Sequence, residues 1–339
     1  MTLSPSPLAI VIIGAGKGTR MHSALAKVLH PLAGQPLIAH VLNLAMQLDP
    51  RHLIAVVGHQ ADAVRQVCEP RGAACVVQEP QLGTGHAVAQ AEPVLGTFEG
   101  DVLVLYGDVP LLQLDTVRAL LDEHRQRDAS VTVLTTSMED PSGYGRIVRN
   151  REGAIEAIVE HRDASPAQLA IREINTGIYC LKSPFLFRAL SRVGSQNAQG
   201  EQYLTDVVGV AVSEQFPVAY VTAANAQETM GVNTRLELAQ LEAVLRRRLC
   251  ESHMLAGVTI HDPASTVIDA EVYIGRDTVI APQTHLLGQT HIGAGCVIGP
   301  QAVIQDSTLA DGVRVEPFCV IREQAVARLT TVDSFSYLK

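Results

Sequence analysis

The sequence predicts an α/β protein in two parts: a first domain built on a mostly parallel sheet and, after a connector helix, a short parallel β-helix. Two observations lead to this prediction. Up to about residue 230, short apolar runs rich in β-branched residues alternate with segments of helical periodicity. Beyond residue 255 the apolar period changes to six residues. We therefore predict a first domain at 1–233, a connector helix at 234–254 and a β-helix at 255–339.

Strand and helix patterns alternate through the first domain. Strands are predicted at 8–12, 54–57, 74–77, 102–105 and 131–134, with helices at 37–48 and 116–126. Strands that alternate with helices need crossover connections, which produce a mostly parallel sheet covered on both faces. Because ligands bind such sheets at the carboxyl ends of the strands, we expect the loops after residues 12, 77 and 105 to carry the function.

The second part is predicted from the change of period. A helix at 235–253 is followed by one apolar residue every six positions: Ile268, Ile274, Ile280, Leu286, Ile292, Ile298 and Ile304. Small residues lie four positions after most of these, from Thr278 to Thr308. Such hexads stack as the faces of a parallel β-helix, with the apolar residue pointing into a narrow core. We expect the repeat to end irregularly after Ile304.

Composition limits the class of function. The chain has 339 residues, of which 47% are apolar, and a formal net charge of −9. This acidic balance disfavours nucleic acid and membrane surfaces as partners, so we expect neither. The six scattered cysteines lack metal-ligand spacing, which indicates reduced thiols. No apolar segment approaches the ~20 residues of a membrane span. We therefore expect a cytoplasmic protein that binds small anionic molecules.

A glycine-rich loop follows the first predicted strand and reads I-G-A-G-K-G-T-R-M from Ile13 to Met21. Its G-x-G-x-G spacing fits neither the dinucleotide fingerprint nor the P-loop. Backbone N–H groups at a strand end rich in glycine can approach an anion, and Lys17, Arg20 and Lys27 add positive charge nearby. The loop predicts a phosphate site, with an ordinary strand-to-helix turn as the alternative.

Two later loops carry further polar groups at strand ends. The segment Q-E-P-Q-L-G-T-G-H-A begins at Gln78 and offers amides and side-chain hydrogen bonds to a planar ring. The segment Y-G-D-V-P begins at Tyr106, and its Asp108 follows a buried strand, where a carboxylate can hold Mg²⁺ against substrate phosphates. The alternatives are a structural turn at the first segment and a turn or helix-capping aspartate at the second.

Taken in order, these loops and five further segments are similar to a known family. The further segments are K-V-L-H at Lys27, G-Y-G-R-I at Gly143, V-E-H at Val159, E-I-N-T-G-I at Glu173 and G-V-N at Gly231. Together the motifs resemble the N-acetylglucosamine-1-phosphate uridylyltransferases, bacterial enzymes that also carry a glucosamine-1-phosphate acetyltransferase on a left-handed β-helix. The resemblance implies a Rossmann-like nucleotidyltransferase domain, and the hexads extend it past residue 300.

The resemblance also implies a role for each matching position. The residues it places around the uridine nucleotide are Ile13, Gly14, Ala15, Gly16, Gln78, Gly83, Thr84 and Tyr106. It places Arg20 and Lys27 on the phosphates as catalytic cations, and Asp108 and Asn233 on a Mg²⁺ cofactor. The residues it places around the sugar phosphate are Gly145, Glu160 and Asn175. The implied reaction transfers UMP from UTP to N-acetylglucosamine 1-phosphate and releases pyrophosphate.

This chain departs from the family pattern near three of its motifs. Gly14 stands where the family has alanine in L-A-A-G, Ala26 where it has proline in L-P-K, and Thr234 where it has the second asparagine of N-N. We expect the first two changes to loosen the phosphate loop without removing a functional group. Arg322 and Lys339 resemble two acetyl-acceptor phosphate ligands, but the acetyltransferase histidine does not follow them, so we predict no acetyl transfer.

Three functions stay open from the sequence. The leading one is a Mg²⁺-dependent uridylyltransferase for N-acetylglucosamine 1-phosphate, which the resemblance links to peptidoglycan, lipopolysaccharide and cell-wall synthesis. A second is a related enzyme with another sugar or nucleotide. A third is a catalytically silent sugar-nucleotide-binding protein, which the presence of both Asp108 and Asn233 disfavours. Because stacked hexads usually need neighbours to cover them, we also expect a homotrimer.

Overall fold

A computed structural model describes residues 6–339, which divide into two compact units. The first comprises residues 6–30 and 36–235, and the second comprises Pro31–Gln35 and Leu236–Lys339. The sequence assigned residues 31–35 to the first domain, whereas their contacts group them with the second unit. The backbone of Ala33 explains this, since its N–H donates to Glu242 Oε2 (2.8 Å) and its carbonyl accepts from Ala270 N–H (2.9 Å).

Nine strands of the first unit form one sheet, and two short strands form a separate hairpin. In chain order the strands are β1 (Leu8–Ile13), β2 (Pro31–Leu32) and β3 (Gln35–Pro36) of the hairpin, β4 (His52–Val57), β5 (Ala74–Val77), β6 (Asp101–Tyr106), β7 (Val131–Ser137), β8 (Arg146–Arg149), β9 (Ile155–Val159), β10 (Glu173–Lys182) and β11 (Val218–Thr222). The main order is β11-β7-β10-β6-β1-β4-β5, with the β8–β9 hairpin attached to β10. Only β10 and this hairpin pair antiparallel in the sheet as described, so the mostly parallel prediction is confirmed.

Helices cover both faces of this sheet. They are α1 (Leu37–Met46), α2 (Ala61–Cys68), α3 (Thr84–Ala89), α4 (Glu92–Leu95), α5 (Leu114–Gln126), α6 (Pro166–Leu169), α7 (Ser183–Leu190) and α8 (Asp206–Ser213). Side chains of a strand alternate between the two faces. Accordingly, Ala9 and Val11 of β1 join one apolar cluster, whereas Ile10 and Ile12 join the other. The core therefore lies in two layers, as the alternation of strands and helices predicts.

The second unit contains a long helix and a parallel β-helix. The helix α9 spans Arg235–Leu255, and its first residue groups with the first unit. The strands that follow are β12 (Thr259–Ile260), β13 (Val267–Ile268), β14 (Tyr273–Ile274), β15 (Val279–Ile280), β16 (His285–Leu287), β17 (His291–Ile292), β18 (Val297–Ile298), β19 (Val303–Gln305), β20 (Thr308–Leu309), β21 (Arg314–Val315), β22 (Val320–Arg322), β23 (Ala325–Val326), β24 (Thr331–Val332) and β25 (Tyr337–Leu338). They form three parallel sheets, β12-β15-β18-β21-β24, β13-β16-β19-β22-β25 and β14-β17-β20-β23.

The repeat continues well past Ile304, so the expectation that it ends there is wrong, although two of the later steps are irregular. The apolar core positions after Ile304 are Leu309, Val315, Ile321, Val326 and Val332. The steps from Ile304 to Leu309 and from Ile321 to Val326 are each one residue shorter than a hexad. The first short step also moves the small-residue position of the hexad by one residue, since Ser307 is buried and Thr308 is exposed.

None of the helices in residues 6–339 has the length and apolar character that a membrane crossing requires.

The buried His124 of α5 predicts a pH-dependent stability. Its ring is 1% exposed, and its Nδ1 lies 2.8 Å from Thr132 Oγ1. Burial lowers the pKa of His124 to about 4, against an opposing effect of Asp101. In the unfolded chain the ring is protonated below about pH 6.5, whereas in the fold it stays neutral down to about pH 4. The contribution of neutral His124 to the free energy of unfolding is therefore complete above about pH 6.5 and is lost progressively towards pH 4.

We expect the free energy of unfolding of the first unit to fall by roughly 2–3 kcal/mol between pH 7 and 4.5 through His124. Chemical denaturation of the wild type and of His124→Gln across this range measures it. The variant starts from a lower stability but should show a shallower decline, because the titrating ring is gone. Parallel curves for the two proteins would assign the pH dependence to other groups.

Candidate active site

The glycine-rich loop leaves β1 and ends in a short helical turn at Thr19–Met21, which carries Arg20. The backbone N–H of Gly14 continues the hydrogen bonding between β1 and β4, since it donates to Val56 O (2.9 Å). Gly16 is exposed, and a Cβ placed on it meets no heavy atom within 4 Å. Gly18 has a φ of +60°, and a Cβ there would lie 2.5 Å from Lys27 Cβ. Glycine at position 18 therefore lets the Lys27 side chain lie directly against the loop.

The structure does not support the expectation that Gly14 and Ala26 loosen this loop. A Cβ on Gly14 would lie 3.1 Å from Ile38 Cδ1, so the Ile38 side chain already fills that space. Ala26 is buried, and its N–H donates to Gln60 Oε1 (2.8 Å). A proline at position 26 has no N–H to make this bond. Both positions are therefore held by contacts that suit the residues present.

Four residues predicted to handle phosphate and metal come together. Lys27 Nζ forms an ion pair with Asp108 Oδ2 and lies 3.3 Å from Asn233 Oδ1. Arg20 Nη2 donates to the same Asn233 oxygen (2.9 Å). The backbone N–H of Val232 donates to Asp108 O (2.9 Å), which fixes the segment of Asn233 beside the end of β6. Two cationic side chains thus lie in contact with two side chains whose oxygens can bind a metal ion.

The donor set of this cluster suits a hard cation. Asp108 supplies a carboxylate and Asn233 an amide oxygen, and both contact the ammonium of Lys27. Mg²⁺ in proteins takes one or two such oxygens and completes its shell with substrate phosphates and water. Across residues 6–339 no group of three or more His, Cys, Asp or Glu side chains is arranged to hold a metal. The two oxygens present match the one or two protein ligands that Mg²⁺ takes.

The residues predicted for the sugar phosphate form a second group. Asn175 N–H donates to Gly145 O (2.9 Å), and a Cβ on Gly145 would lie 3.5 Å from Glu160 Oε1. Thr205 Oγ1 donates to Glu160 Oε1 (3.3 Å). Burial raises the pKa of Glu160, the nearby carboxylates act in the same direction, and the Thr205 hydrogen bond opposes them. The three predicted residues are therefore neighbours in space.

Tyr106 packs beside this group. Gly177 of β10 has a φ of +85°, and a Cβ there would lie 2.8 Å from Tyr106 Cε2. The register of β10 against β7 shifts between Asn175 and Tyr179, and Gly177 lies in this bulge. Glycine at position 177 leaves the room that the Tyr106 ring occupies.

One cavity of about 310 Å³ is lined by both groups. The predicted site residues around it are Arg20, Lys27, Thr84, Tyr106, Asp108, Gly145, Glu160, Asn175 and Asn233. A second cavity of about 660 Å³ is lined by Lys17, Gln78 and Gln81 among others. The remaining predicted nucleotide residues, Ile13, Gly14, Ala15, Gly16 and Gly83, line neither of these two cavities.

Gln78 and Gly83 organise the loop between β5 and α3. Gln78 is buried, and its amide nitrogen donates to Gly83 O (2.8 Å) and lies 3.2 Å from His86 Nδ1. Gly83 has a φ of +112°, and a Cβ on it would lie 2.5 Å from Gln202 O. The amide of Gln78 is thus engaged inside the loop, where it supports the turn before α3.

Sequence reasoning missed one wall of the smaller cavity. Gln199, Glu201, Tyr203 and Thr205, from the segment between α7 and α8, line it. Backbone hydrogen bonds of Gln202 to Leu82 (2.8 Å) and Gly85 (2.8 Å) hold this segment in place. The only local signal is its position before α8, because the bonds that bring it to the site span more than 100 residues of chain.

Comparisons with known proteins cover both units. Residues 10–209 match the family described as MobA-like NTP transferase domain, and residues 271–306 match the bacterial transferase hexapeptide with six repeats. The chain is similar to a protein named bifunctional protein GlmU from Brevibacillus brevis, at 47% identity over 98% of this chain and 72% of the relative. Proteins of the same name from an Exiguobacterium species (47% identity, 97% and 76%) and Corynebacterium glutamicum (46%, 100% and 71%) are also similar. The two family matches confirm the predicted fold, a Rossmann-like nucleotidyltransferase domain followed by a left-handed β-helix.

Alanine substitutions at Gly83 and at Gly16 should have different effects on stability. Gly83→Ala should lower the free energy of unfolding of the first unit by about 1–3 kcal/mol, because of its left-handed backbone and the Gln202 carbonyl. Gly16→Ala, the matched control, should leave stability unchanged, because the space above it is open. Denaturant titration of both variants measures the difference. Equal stabilities would contradict the close approach described for Gly83.

Proposed function

The chain belongs to the family of the bifunctional protein GlmU, and from this premise we propose that it transfers UMP from UTP to N-acetylglucosamine 1-phosphate. The products are UDP-N-acetylglucosamine and pyrophosphate. The observation that carries the proposal is the single cavity in which Arg20, Lys27, Asp108 and Asn233 lie with the Glu160 group. An enzyme that joins two phosphorylated reactants needs cations and oxygen donors at such a point.

The chemistry needs alignment and charge neutralisation more than proton transfer. An oxygen of the sugar 1-phosphate is already anionic near neutral pH, so it attacks the α-phosphorus of UTP without a general base. A bond forms between that oxygen and the α-phosphorus. The bond between the α-phosphorus and the oxygen that bridges it to the β-phosphorus breaks. Pyrophosphate leaves with the electron pair. Arg20 and Lys27 supply fixed positive charge for the reacting phosphates.

We infer that Asp108 and Asn233 hold Mg²⁺. When bound, this ion neutralises charge on the reacting phosphates. Asp108 lies at the end of β6 and its backbone carbonyl is tied to Val232, so its carboxylate and the Asn233 amide stay together. Lys27 touches both oxygens and keeps positive charge beside them.

The other group supports an N-acetylated sugar. Glu160 and Asn175 offer acceptors and a donor for hydroxyl and amide groups, and Gly145 leaves the space between them open. Burial disfavours the charged carboxylate of Glu160, and hydrogen bonds donated by a sugar ligand would offset that cost. A related sugar 1-phosphate or another nucleotide remains the alternative, and a substrate panel separates them.

The remaining parts of the proposal concern the setting of the enzyme. The hexapeptide repeats support assembly as a homotrimer, which analytical ultracentrifugation tests. The cytoplasmic location stays a prediction from composition, and the role in peptidoglycan, lipopolysaccharide and cell-wall synthesis stays a prediction from the resemblance. Adding acetyl-CoA and glucosamine 1-phosphate to the purified chain tests the expectation of no acetyl transfer.

Pyrophosphate release tests the proposed reaction directly. We expect release with UTP and N-acetylglucosamine 1-phosphate, lower rates with other nucleotides and sugar phosphates, and loss of the rate when EDTA removes Mg²⁺. Asp108→Ala should lower kcat/KM at least 100-fold, since one of two protein ligands to the ion is gone. Asp115→Ala, a control on the exposed face of α5, should match the wild type. Full activity in EDTA would contradict the metal role.

Arg20→Ala separates transition-state stabilisation from folding. We expect a loss in kcat/KM of about 3 kcal/mol, which is the usual effect of removing a preorganised donor to developing charge. The thermal midpoint should hold, because Arg20 is exposed. Arg118→Ala, another exposed arginine, is the control. An unimpaired Arg20→Ala enzyme would refute the role given to this guanidinium.

A further inference from the structure

Arg146, the first residue of β8, is a buried arginine whose charge has no close counter-ion. Its side chain is 1% exposed, and the ion pairs found across the described part of the chain do not include it. Its Nε has no hydrogen-bond partner among residues 6–339. Burial lowers the pKa of Arg146, an effect that the more distant Asp140 opposes. A guanidinium buried in this way is costly to the fold, so stability alone is a poor reason for its presence.

The hydrogen bonds of Arg146 reach two segments that flank the sugar-phosphate group. Nη1 donates to the carbonyl of Tyr144, and Nη2 lies 3.5 Å from His161 Nδ1. Tyr144 directly precedes Gly145, and His161 directly follows Glu160. The planar guanidinium therefore spans from the loop before β8 to the end of β9.

The strand register places this bridge next to residues that line the cavity. Arg146 is opposite Val159 of β9 and Ile174 of β10. The carbonyl of Tyr144 is held by Arg146, and the next carbonyl, that of Gly145, accepts the Asn175 N–H. Two consecutive carbonyls are thus fixed, and both of their residues line the cavity. The position of Gly145 relative to Glu160 depends on these two bonds.

We propose that Arg146 is a positioning residue that holds the Gly143–Gly145 segment against Glu160 and thereby sets the binding geometry for the sugar 1-phosphate. This inference rests on the proposed function, and it assigns Arg146 no contact with substrate. The nucleotide side of the site, at Arg20 and Thr84, shares no hydrogen bond with Arg146 in the described chain. The bridge should therefore influence the two substrates unequally.

The test compares Michaelis constants for the two substrates in the full chain. In Arg146→Gln we expect KM for N-acetylglucosamine 1-phosphate to rise roughly tenfold or more, with KM for UTP within about twofold of the wild type. Arg146→Lys should lie between the two, because it keeps the charge but not the planar fork. Equal changes in both KM values, or wild-type values for both in Arg146→Gln, would overturn the proposal.

A control on the same strand separates positioning from general stability. Arg149 forms a bidentate pair with Glu173 (2.8 and 2.6 Å) and lies over the Tyr220 ring, and the cavity lining does not include it. Arg149→Gln should lower thermal stability and leave KM for the sugar phosphate unchanged. A rise in that KM equal to the rise in Arg146→Gln would assign the effect to the hairpin as a whole.

A second variant and hydrogen exchange test the Arg146 bridge independently of the Arg146→Gln kinetics. If Arg146 variants fail to fold, His161→Ala removes one end of the bridge and should still raise KM for the sugar phosphate by a smaller factor. Hydrogen exchange should quicken in residues 139–145 of Arg146→Lys and His161→Ala without quickening at β1. Should the wild type release no pyrophosphate, the proposed function fails, and exchange alone decides the bridge. Unchanged exchange in both variants would refute it.

Discussion

The parallel pairing of β1 with β6 is the constraint from which the site follows. Ile13 lies opposite Tyr106 in this register, so the glycine loop and Asp108 leave the sheet at the same edge. Lys27 then forms its ion pair with Asp108 within a side chain's reach, although 81 residues separate them. The bond from Val232 to Asp108 adds Asn233 to the same edge. A shift in the β1–β6 register would separate the cations from the oxygen donors.

Charge in the site is arranged in two parts. At the end that we propose binds phosphate, Lys27 contacts oxygens of Asp108 and Asn233, and Arg20 donates to the same Asn233 oxygen. At the end that we propose binds the sugar, Glu160 is half-buried, and desolvation together with the neighbouring carboxylates raises its pKa. In a chain with a net charge of −9, Arg20 and Lys27 supply local positive charge at the point where we propose that phosphates bind. This separation also explains why the acidic composition is compatible with anionic ligands.

The sequence predicts those features that depend on local periodicity and on strand ends. The alternation around β1 and the hexads from Ile268 to Ile304 identify both folds, and the glycine loop and Asp108 mark the edge of the sheet where the smaller cavity lies. Contacts made by distant backbone are beyond such reasoning. Backbone hydrogen bonds of Gln202 with Leu82 and Gly85 hold the segment that carries Tyr203. No motif in that segment predicts these bonds. The bridge of Arg146 is hidden in the same way, since a charged residue in a strand usually indicates an exposed face.

The β-helix keeps its core alignment even in coils that are one residue shorter than the others. Ile292 stays opposite Leu309, and Leu309 opposite Val326, although one residue is missing from the steps that end at Leu309 and Val326. Backbone hydrogen bonds between coils align the core side chains, and the bend between two faces absorbs the deletion. Evolution can therefore trim or extend the corners of such a solenoid one residue at a time while the stacked interior keeps its alignment.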